Sequence, residues 1–247
     1  MKLNLFFICG LIILVGFCWA QNEIHLFQNF YRDAMITSQL FLNGSFQYSK
    51  SSMMKVDWTT MDIGIKAGYP ISDKLEADAG ISFISISPDE GDGESGLSDV
   101  LVSGKYCFKT DPVISAGAFM TLPVGSEDIG QSNLNFGFWG AIRHRLSEPV
   151  EINGSVGLDF VEGVDAETGD TEYKNDFVLG GGAVYSLSEK IALVPELTFT
   201  SDSDYSLLSC GIDYSLSASG KMRGMLGLGL DDGAPDILLH LSYLTGF

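Results

Sequence analysis

Hydrophobic and polar residues alternate one by one through most of the chain. In residues 150–160 an apolar side chain occupies nearly every even position, with polar residues or glycine between. Residues 75–83 and 208–216 repeat this pattern. Successive side chains of a β-strand point to opposite faces, so each segment predicts a strand with one apolar face.

Twelve such segments follow one another and account for most of the chain, which predicts an all-β antiparallel fold. The predicted strands cover residues 36–48, 56–68, 75–86, 97–108, 113–123, 133–144, 150–161, 175–186, 191–200, 205–216, 222–230 and 236–247.

The connections between the predicted strands are of two kinds that alternate. Short turns lie at residues 69–74, 109–112, 145–149, 185–190 and 214–221. Longer acidic or glycine-rich loops lie at residues 87–96, 124–132, 161–175, 201–204 and 231–236. This alternation is typical of a transmembrane outer-membrane β-barrel, with the turns in the periplasm and the loops outside. The alternative is a secreted β-sandwich, which would not need twelve successive apolar faces.

Aromatic residues collect at both ends of the predicted strands, as at the two interfaces of a membrane barrel. Tyr69, Tyr106, Phe108, Tyr185, Tyr214, Tyr243 and Phe247 lie at the periplasmic ends, and Phe83, Phe136, Phe160, Phe177 and Phe199 lie near the outer ends. The last strand, ending at Phe247, resembles the C-terminal strand that barrel-assembly machinery recognises. We therefore expect that machinery and outer-membrane lipid as partners.

The first twenty residues have the organisation of a secretory signal. Lys2 is followed by an apolar stretch from Leu5 to Phe17 and by the small residue Ala20. We expect cleavage there and export to the outer membrane. The alternative is an uncleaved anchor, although the apolar stretch is short for a membrane-spanning helix.

Residues 21–35 do not alternate, and Ile24, Phe27, Tyr31 and Met35 follow a roughly helical spacing. We predict a periplasmic segment that forms a short helix and caps or plugs the barrel. Residues 36–247 are then the barrel itself.

Composition excludes several functions. The formal net charge is -18 and the isoelectric point is about 4.3, so no basic face is available for nucleic acid. Two of the four cysteines lie in the predicted signal, and Cys107 and Cys210 form no disulfide framework. No Cys/His pattern indicates a metal or another cofactor.

Alternation directs a set of charged and aromatic side chains into the lumen. They are Trp58, Asp62, Lys66, Glu76, Asp78, Asp99, Lys105, Trp139, Arg143, Glu151, Asp159, Glu196, Asp213, Arg223 and His240. One interpretation is a network of paired charges that solvates the interior. The other is a constriction that selects solutes. The two tryptophans suit an amphipathic cargo, or they fill space.

His240 and Ser242 share one strand face, a spacing found in outer-membrane phospholipases. Alternation places this pair in the lumen, away from lipid, so a lipid hydrolase is a weak alternative and we predict no catalytic residues. The acidic loop with Asp89, Glu90 and Asp92 lacks the order of a calcium loop. It suits contact with cations that bridge lipopolysaccharide.

Residues 96–106 and 113–125 resemble the "MetA-pathway of phenol degradation" family of outer-membrane transporters. Gly96 and Asp99 open a strand that ends in Lys105 and Tyr106, and the next strand closes with residues 122–125, which read Leu-Pro-Val-Gly. The resemblance implies a barrel of this size that passes aromatic or other hydrophobic compounds.

We therefore predict a twelve-stranded outer-membrane barrel that admits a small hydrophobic or aromatic solute passively and is not an enzyme. Twelve strands leave a lumen between those of filled eight-stranded barrels and open porins. The alternative is a closed structural or adhesion barrel whose acidic loops bind a surface partner.

Overall fold

The computed structural model describes residues 32–53, 56–131, 133–164, 171–201 and 204–247. Thirteen strands form within these ranges. They are β1 (Phe41–Met53), β2 (Val56–Ser72), β3 (Leu75–Pro88), β4 (Glu94–Leu97), β5 (Val100–Thr110), β6 (Val113–Leu122), β7 (Phe136–Ser147), β8 (Val150–Val164), β9 (Thr171–Ser186), β10 (Ile191–Thr200), β11 (Ser206–Ser215), β12 (Gly220–Gly229) and β13 (Ile237–Gly246).

The strands close into one antiparallel barrel. Neighbours in sequence pair from β5 to β13, β13 pairs with β1, and β2 and β3 complete the ring. The short β4 pairs with one end of β3, and β5 pairs with the other end, so the two share one position in the wall. The structure is thus a closed twelve-stranded barrel, and the predicted fold class is confirmed.

Two predicted strand boundaries are wrong for identifiable reasons. The strand predicted at 97–108 is interrupted at Ser98 and Asp99, because the Asp99 carboxylate turns to accept the backbone N–H groups of Gly125 and Gln131. The first strand begins at Phe41 rather than at residue 36, because the preceding chain makes hydrogen bonds inside the barrel.

The two faces of the wall have opposite polarity. Ile63, Phe108 and Leu226 point outward and are 61%, 62% and 63% exposed. Along β2 the inward positions are more buried than their outward neighbours, in step with the period of two. Every backbone group of a closed barrel finds a partner without an open edge, which suits a wall with an apolar outer surface.

The two ends of the barrel differ in their connections. Tight turns join β2 to β3, β5 to β6 and β7 to β8 at one end, called here the short-turn end. Longer connections such as those after β6 and β12 lie at the opposite, long-loop end. Aromatic rings mark both: Tyr106 meets Phe108 edge-on at 5.0 Å between ring centroids, and Phe136 stacks on Phe160 at 4.9 Å.

The helix predicted within residues 21–35 falls mainly on positions outside the described residues. Residues 32–35 are described and are not helical. Across the described chain no helix has the length and apolar character to cross a membrane.

Candidate permeation lumen

The inner face of the barrel is polar. Among the described residues, 25 polar or charged side chains are buried against 13 apolar ones. A water-soluble protein buries mainly apolar side chains, so this distribution is inverted. Together with the apolar outer surface, it is the distribution of a barrel that encloses a hydrophilic interior.

Residues 32–37 lie inside the barrel, and we call them the inner segment. The backbone N–H and the hydroxyl of Thr37 both donate to the Glu76 carboxylate, at 2.5 and 2.7 Å. The Ser115 hydroxyl donates to the Ala34 carbonyl at 2.5 Å. Glu76 is on β3 and Ser115 is on β6, so the inner segment is held from two different parts of the wall.

Charged groups hold the beginning of the inner segment. The Arg32 guanidinium pairs with Asp159 on β8. The Asp33 carboxylate pairs with Arg143 on β7 at 3.2 Å, and the Lys105 ammonium reaches the Asp33 carbonyl at 3.4 Å. All five side chains are buried, so each charge depends on its partner for stabilisation.

A second group of pairs lies on β2, β3 and β5. The Lys105 ammonium is 3.1 Å from Glu76, and the Lys66 ammonium is 3.3 Å from Asp78. The Ser103 hydroxyl also donates to Asp78 at 2.8 Å. Glu76 therefore joins the wall network to the inner segment.

Two further arginines compensate carboxylates on neighbouring strands. Arg143 is 2.6 Å from Glu151, which also pairs with the exposed Arg145. Arg223 on β12 pairs with Asp213 on β11 and lies 3.6 Å from Glu196 on β10. Most of the predicted luminal charges are thus brought together in opposite-sign pairs.

The two predicted tryptophans have different surroundings. Trp139 is buried and packs on Ala34 and Ala141, with half-buried Val113 beside them. Its indole lies over Gly117, where an added Cβ would come within 2.5 Å of the ring. Trp139 thus fills the space between the wall and the inner segment. Trp58, 37% exposed, lies near the long-loop end.

Asp62, Asp99 and His240 are not drawn into these ion pairs among the described residues. They line a cavity of about 400 Å³ on the inner face of β13, β1, β2 and β3. Asp99 also organises the loop after β6, because it accepts the N–H groups of Gly125 and Gln131, both at 2.9 Å.

A second cavity, of about 350 Å³, lies at the short-turn end. Met35 of the inner segment lines it together with Arg143, Glu151 and Asp213. The inner segment therefore contributes to the space next to the short turns while its other residues contact the wall. Within the described chain no group of three or more His, Cys, Asp or Glu side chains could hold a metal ion.

Sequence reasoning missed the residues that the inner segment contributes. Arg32 and Asp33 lie outside the predicted strands, so periodicity gives no direction for their side chains, and Thr37 lies in the part of the first predicted strand that is not a strand in the structure. Asp176 was also missed, although it is buried and lies directly across from Asp159 in the β8–β9 pair. Its place in an alternating segment was the signal that could have identified it.

Solved structures with a similar architecture include outer-membrane channels, porins, transporters and the β-domains of autotransporters. The COG4313 outer membrane channel from Pseudomonas putida F1 matches with a TM-score of 0.75 and 15% identity, over 91% of this chain and 100% of that chain. The toluene transporter TbuX from Ralstonia pickettii matches with a TM-score of 0.54 and 9% identity, over 87% and 91% of the two chains.

The CymD monoaromatic hydrocarbon channel matches with a TM-score of 0.53 and 12% identity, over 87% of this chain and 90% of that chain. No protein-family model matches the chain, and no curated protein sequence matches it either. Sequence identities of 9–15% support a shared fold and nothing further. The chain has the fold of an outer-membrane β-barrel.

Proposed function

We propose that this chain is a narrow outer-membrane channel that passes small solutes passively, with the inner segment occupying its lumen at rest. The observation that carries this proposal is the closed barrel with a polar interior, crossed by residues 32–37 and held by the Arg32–Asp159 and Asp33–Arg143 pairs. Two cavities, of about 400 and 350 Å³, remain beside the paired charges and the inner segment, and this open space favours a channel over a barrel filled completely by its own side chains.

We further propose a small hydrophobic, aromatic or amphipathic compound as the solute. The names of two structural neighbours, a toluene transporter and a monoaromatic hydrocarbon channel, support this class. Trp58 near the long-loop end and Trp139 beside the inner segment offer aromatic surfaces on the route. Solutes would pass these rings once the inner segment moves.

The proposed environment is the outer membrane, reached after cleavage of residues 1–20. Lipid contacts the apolar outer surface, and the acidic loop at residues 89–94 contacts lipopolysaccharide through bridging cations. Barrel-assembly machinery recognises β13, which lies at the closing seam of the barrel.

Conductance tests the channel proposal. The chain from residue 21 onward, refolded and inserted into planar bilayers, should give brief single-channel openings, because the inner segment occupies the lumen at rest, and added toluene should reduce the current. Current without an effect of toluene would contradict the apolar solute. A silent bilayer, even after deletion of residues 21–37, would contradict a channel.

The alternatives make different predictions. A barrel that only binds a surface partner would lose that binding on deletion of residues 90–95 and would show no conductance at any time. A lipid hydrolase needs His240 to activate Ser242, yet neither ring nitrogen of His240 has a hydrogen-bond partner among the described residues. No hydrolysis of phospholipid is expected.

A further inference from the structure

The cavity of about 400 Å³ on the inner face of β13, β1, β2 and β3 has the size of a small-molecule site. Polar side chains from neighbouring strands line it: Asn43, Ser45, Gln47, Asp62, Ser82 and His240. No Phe, Tyr or Trp is among the residues that line it. We call this surface the β1 wall, because β1 contributes its central row.

Strand register arranges these side chains as a grid. Gln47 on β1 lies directly between His240 on β13 and Asp62 on β2. Two residues further along β1, Ser45 lies opposite Gly64 on β2. Neighbouring strands are about 4.8 Å apart, and residues on one face of a strand recur about every 6.6–6.8 Å. Several hydrogen-bond donors and acceptors of the grid are therefore close enough together to contact one small molecule at the same time.

Gly64 keeps the middle of this grid open. A Cβ at this position would come within 2.7 Å of the Ser45 hydroxyl and 2.9 Å of the Ser82 hydroxyl. With glycine there, the two hydroxyls approach the same point of the β1 wall from strands on either side. The Ser45 hydroxyl can donate and accept a hydrogen bond, whereas the Ser82 hydroxyl donates to the Asp62 carboxylate and offers its oxygen as an acceptor.

Two buried groups of the β1 wall have unused hydrogen-bonding capacity among the described residues. Both ring nitrogens of His240 and the side-chain oxygen of Asn43 are buried and have no partner. His240 is only 5% exposed. A buried polar group without a partner is costly, so each such group needs an explanation, and a bound polar molecule supplies one.

The charges near the β1 wall are largely compensated from within the protein. The Lys66 ammonium pairs with Asp78 at 3.3 Å, the Asp99 carboxylate accepts two backbone N–H groups, and the Asp62 carboxylate accepts a hydrogen bond from the Ser82 hydroxyl. The groups left to meet a ligand are mainly hydroxyls, amides and an imidazole. This set matches a molecule with several hydroxyls and no charge, because hydroxyls both donate and accept hydrogen bonds.

We propose that the β1 wall binds an uncharged, polyhydroxylated solute of about the size of a pentose. The proposal relies on the channel function for access to the cavity, but it does not rely on the apolar solute class proposed above. A site built from hydrogen-bonding groups rejects molecules that leave those groups unpaired. The β1 wall therefore adds a polar selectivity step to the lumen.

Saturation-transfer difference NMR on the refolded protein in detergent micelles tests this proposal. The probes are xylose, triethylene glycol, which is similar in mass but has few hydroxyls, and toluene. The variants are His240→Phe and Asn43→Leu, which keep the shape of the side chain but remove its polar atoms. Ser209→Ala removes a buried polar group on β11 outside the cavity and is the matched control.

We expect xylose to bind the unmodified protein, with affinity about tenfold lower in His240→Phe and in Asn43→Leu and unchanged in Ser209→Ala. Triethylene glycol and toluene should give no saturation at this site. A heat-dependent shift in gel mobility checks that each variant is a folded barrel. If one variant fails to fold, the other carries the test.

Absence of xylose binding would overturn the proposal. Equal xylose binding by the unmodified protein and both variants, or equal binding of xylose and triethylene glycol, would also overturn it. Xylose binding in a protein that never conducts would contradict only the channel function, whereas conductance without xylose binding would contradict only the polar site.

Discussion

Replacing Arg32 and Asp33 together by alanine should release the inner segment. The change removes the Arg32–Asp159 and Asp33–Arg143 pairs but keeps the Thr37 bonds to Glu76. A hydrogen bond to a charged group contributes about 1.5–3 kcal/mol, so docking of the segment weakens by about 3–6 kcal/mol. Even the lower value changes the ratio of undocked to docked segment by about a hundredfold.

Single-channel recording in planar bilayers measures this ratio as the fraction of time spent conducting. The fraction of time spent conducting should rise at least about tenfold; this is less than the change in the ratio, because a fraction cannot exceed one. Asp73→Ala combined with Lys74→Ala is the control, since it removes the same charges from an exposed turn. A folded double variant with unchanged conductance would refute the argument that residues 32–37 obstruct the lumen.

Three further substitutions test the wall. Gly117→Ala should lower the free energy of unfolding in urea titrations by about 1–3 kcal/mol, because its Cβ would lie 2.5 Å from Trp139. Gly140→Ala should have little effect, because its Cβ would come no closer than 3.9 Å to the Ser115 carbonyl oxygen. Leu226→Arg should destabilise the lipid-inserted barrel by about 2–4 kcal/mol if this 63% exposed residue faces hydrocarbon, and an unchanged urea midpoint would contradict that. Arg143→Ala removes the cation that pairs with Asp33 and Glu151 and so leaves excess negative charge in the lumen. The reversal potential measured in a salt gradient should then shift toward cation selectivity. An unchanged reversal potential would show that Arg143 has only a structural role.

The barrel could be predicted from the sequence because its determinants are local. An outward Leu208 or Ile212 and an inward Asp213 follow from a period of two, and each turn is encoded by the few residues that form it. All twelve strands show the same alternation of outward apolar and inward polar residues. An error in one boundary, such as the start of β1, therefore did not alter the predicted fold class.

The lumen was only partly predictable, because its contacts join distant residues. Periodicity directs Asp159 and Arg143 inward, but it carries no information about which group meets them. Their partners, Arg32 and Asp33, belong to a segment without strand periodicity. Asp99 was predicted as an inward charge, yet it makes its bonds to loop backbone because the strand breaks beside it.

The seam of the barrel joins the two ends of the described chain. Phe41 pairs with Gly246 and Lys50 with Ile237, and the Phe247 N–H donates to the Leu40 carbonyl at 2.9 Å. Contacts between residues so far apart in sequence form slowly, and until they form, β1 and β13 each present a row of unpaired backbone groups. In hydrocarbon each of these groups costs several kcal/mol. We therefore expect the barrel to close and insert in one cooperative step, because loss of β13 would leave the neighbouring strands with unpaired backbone groups.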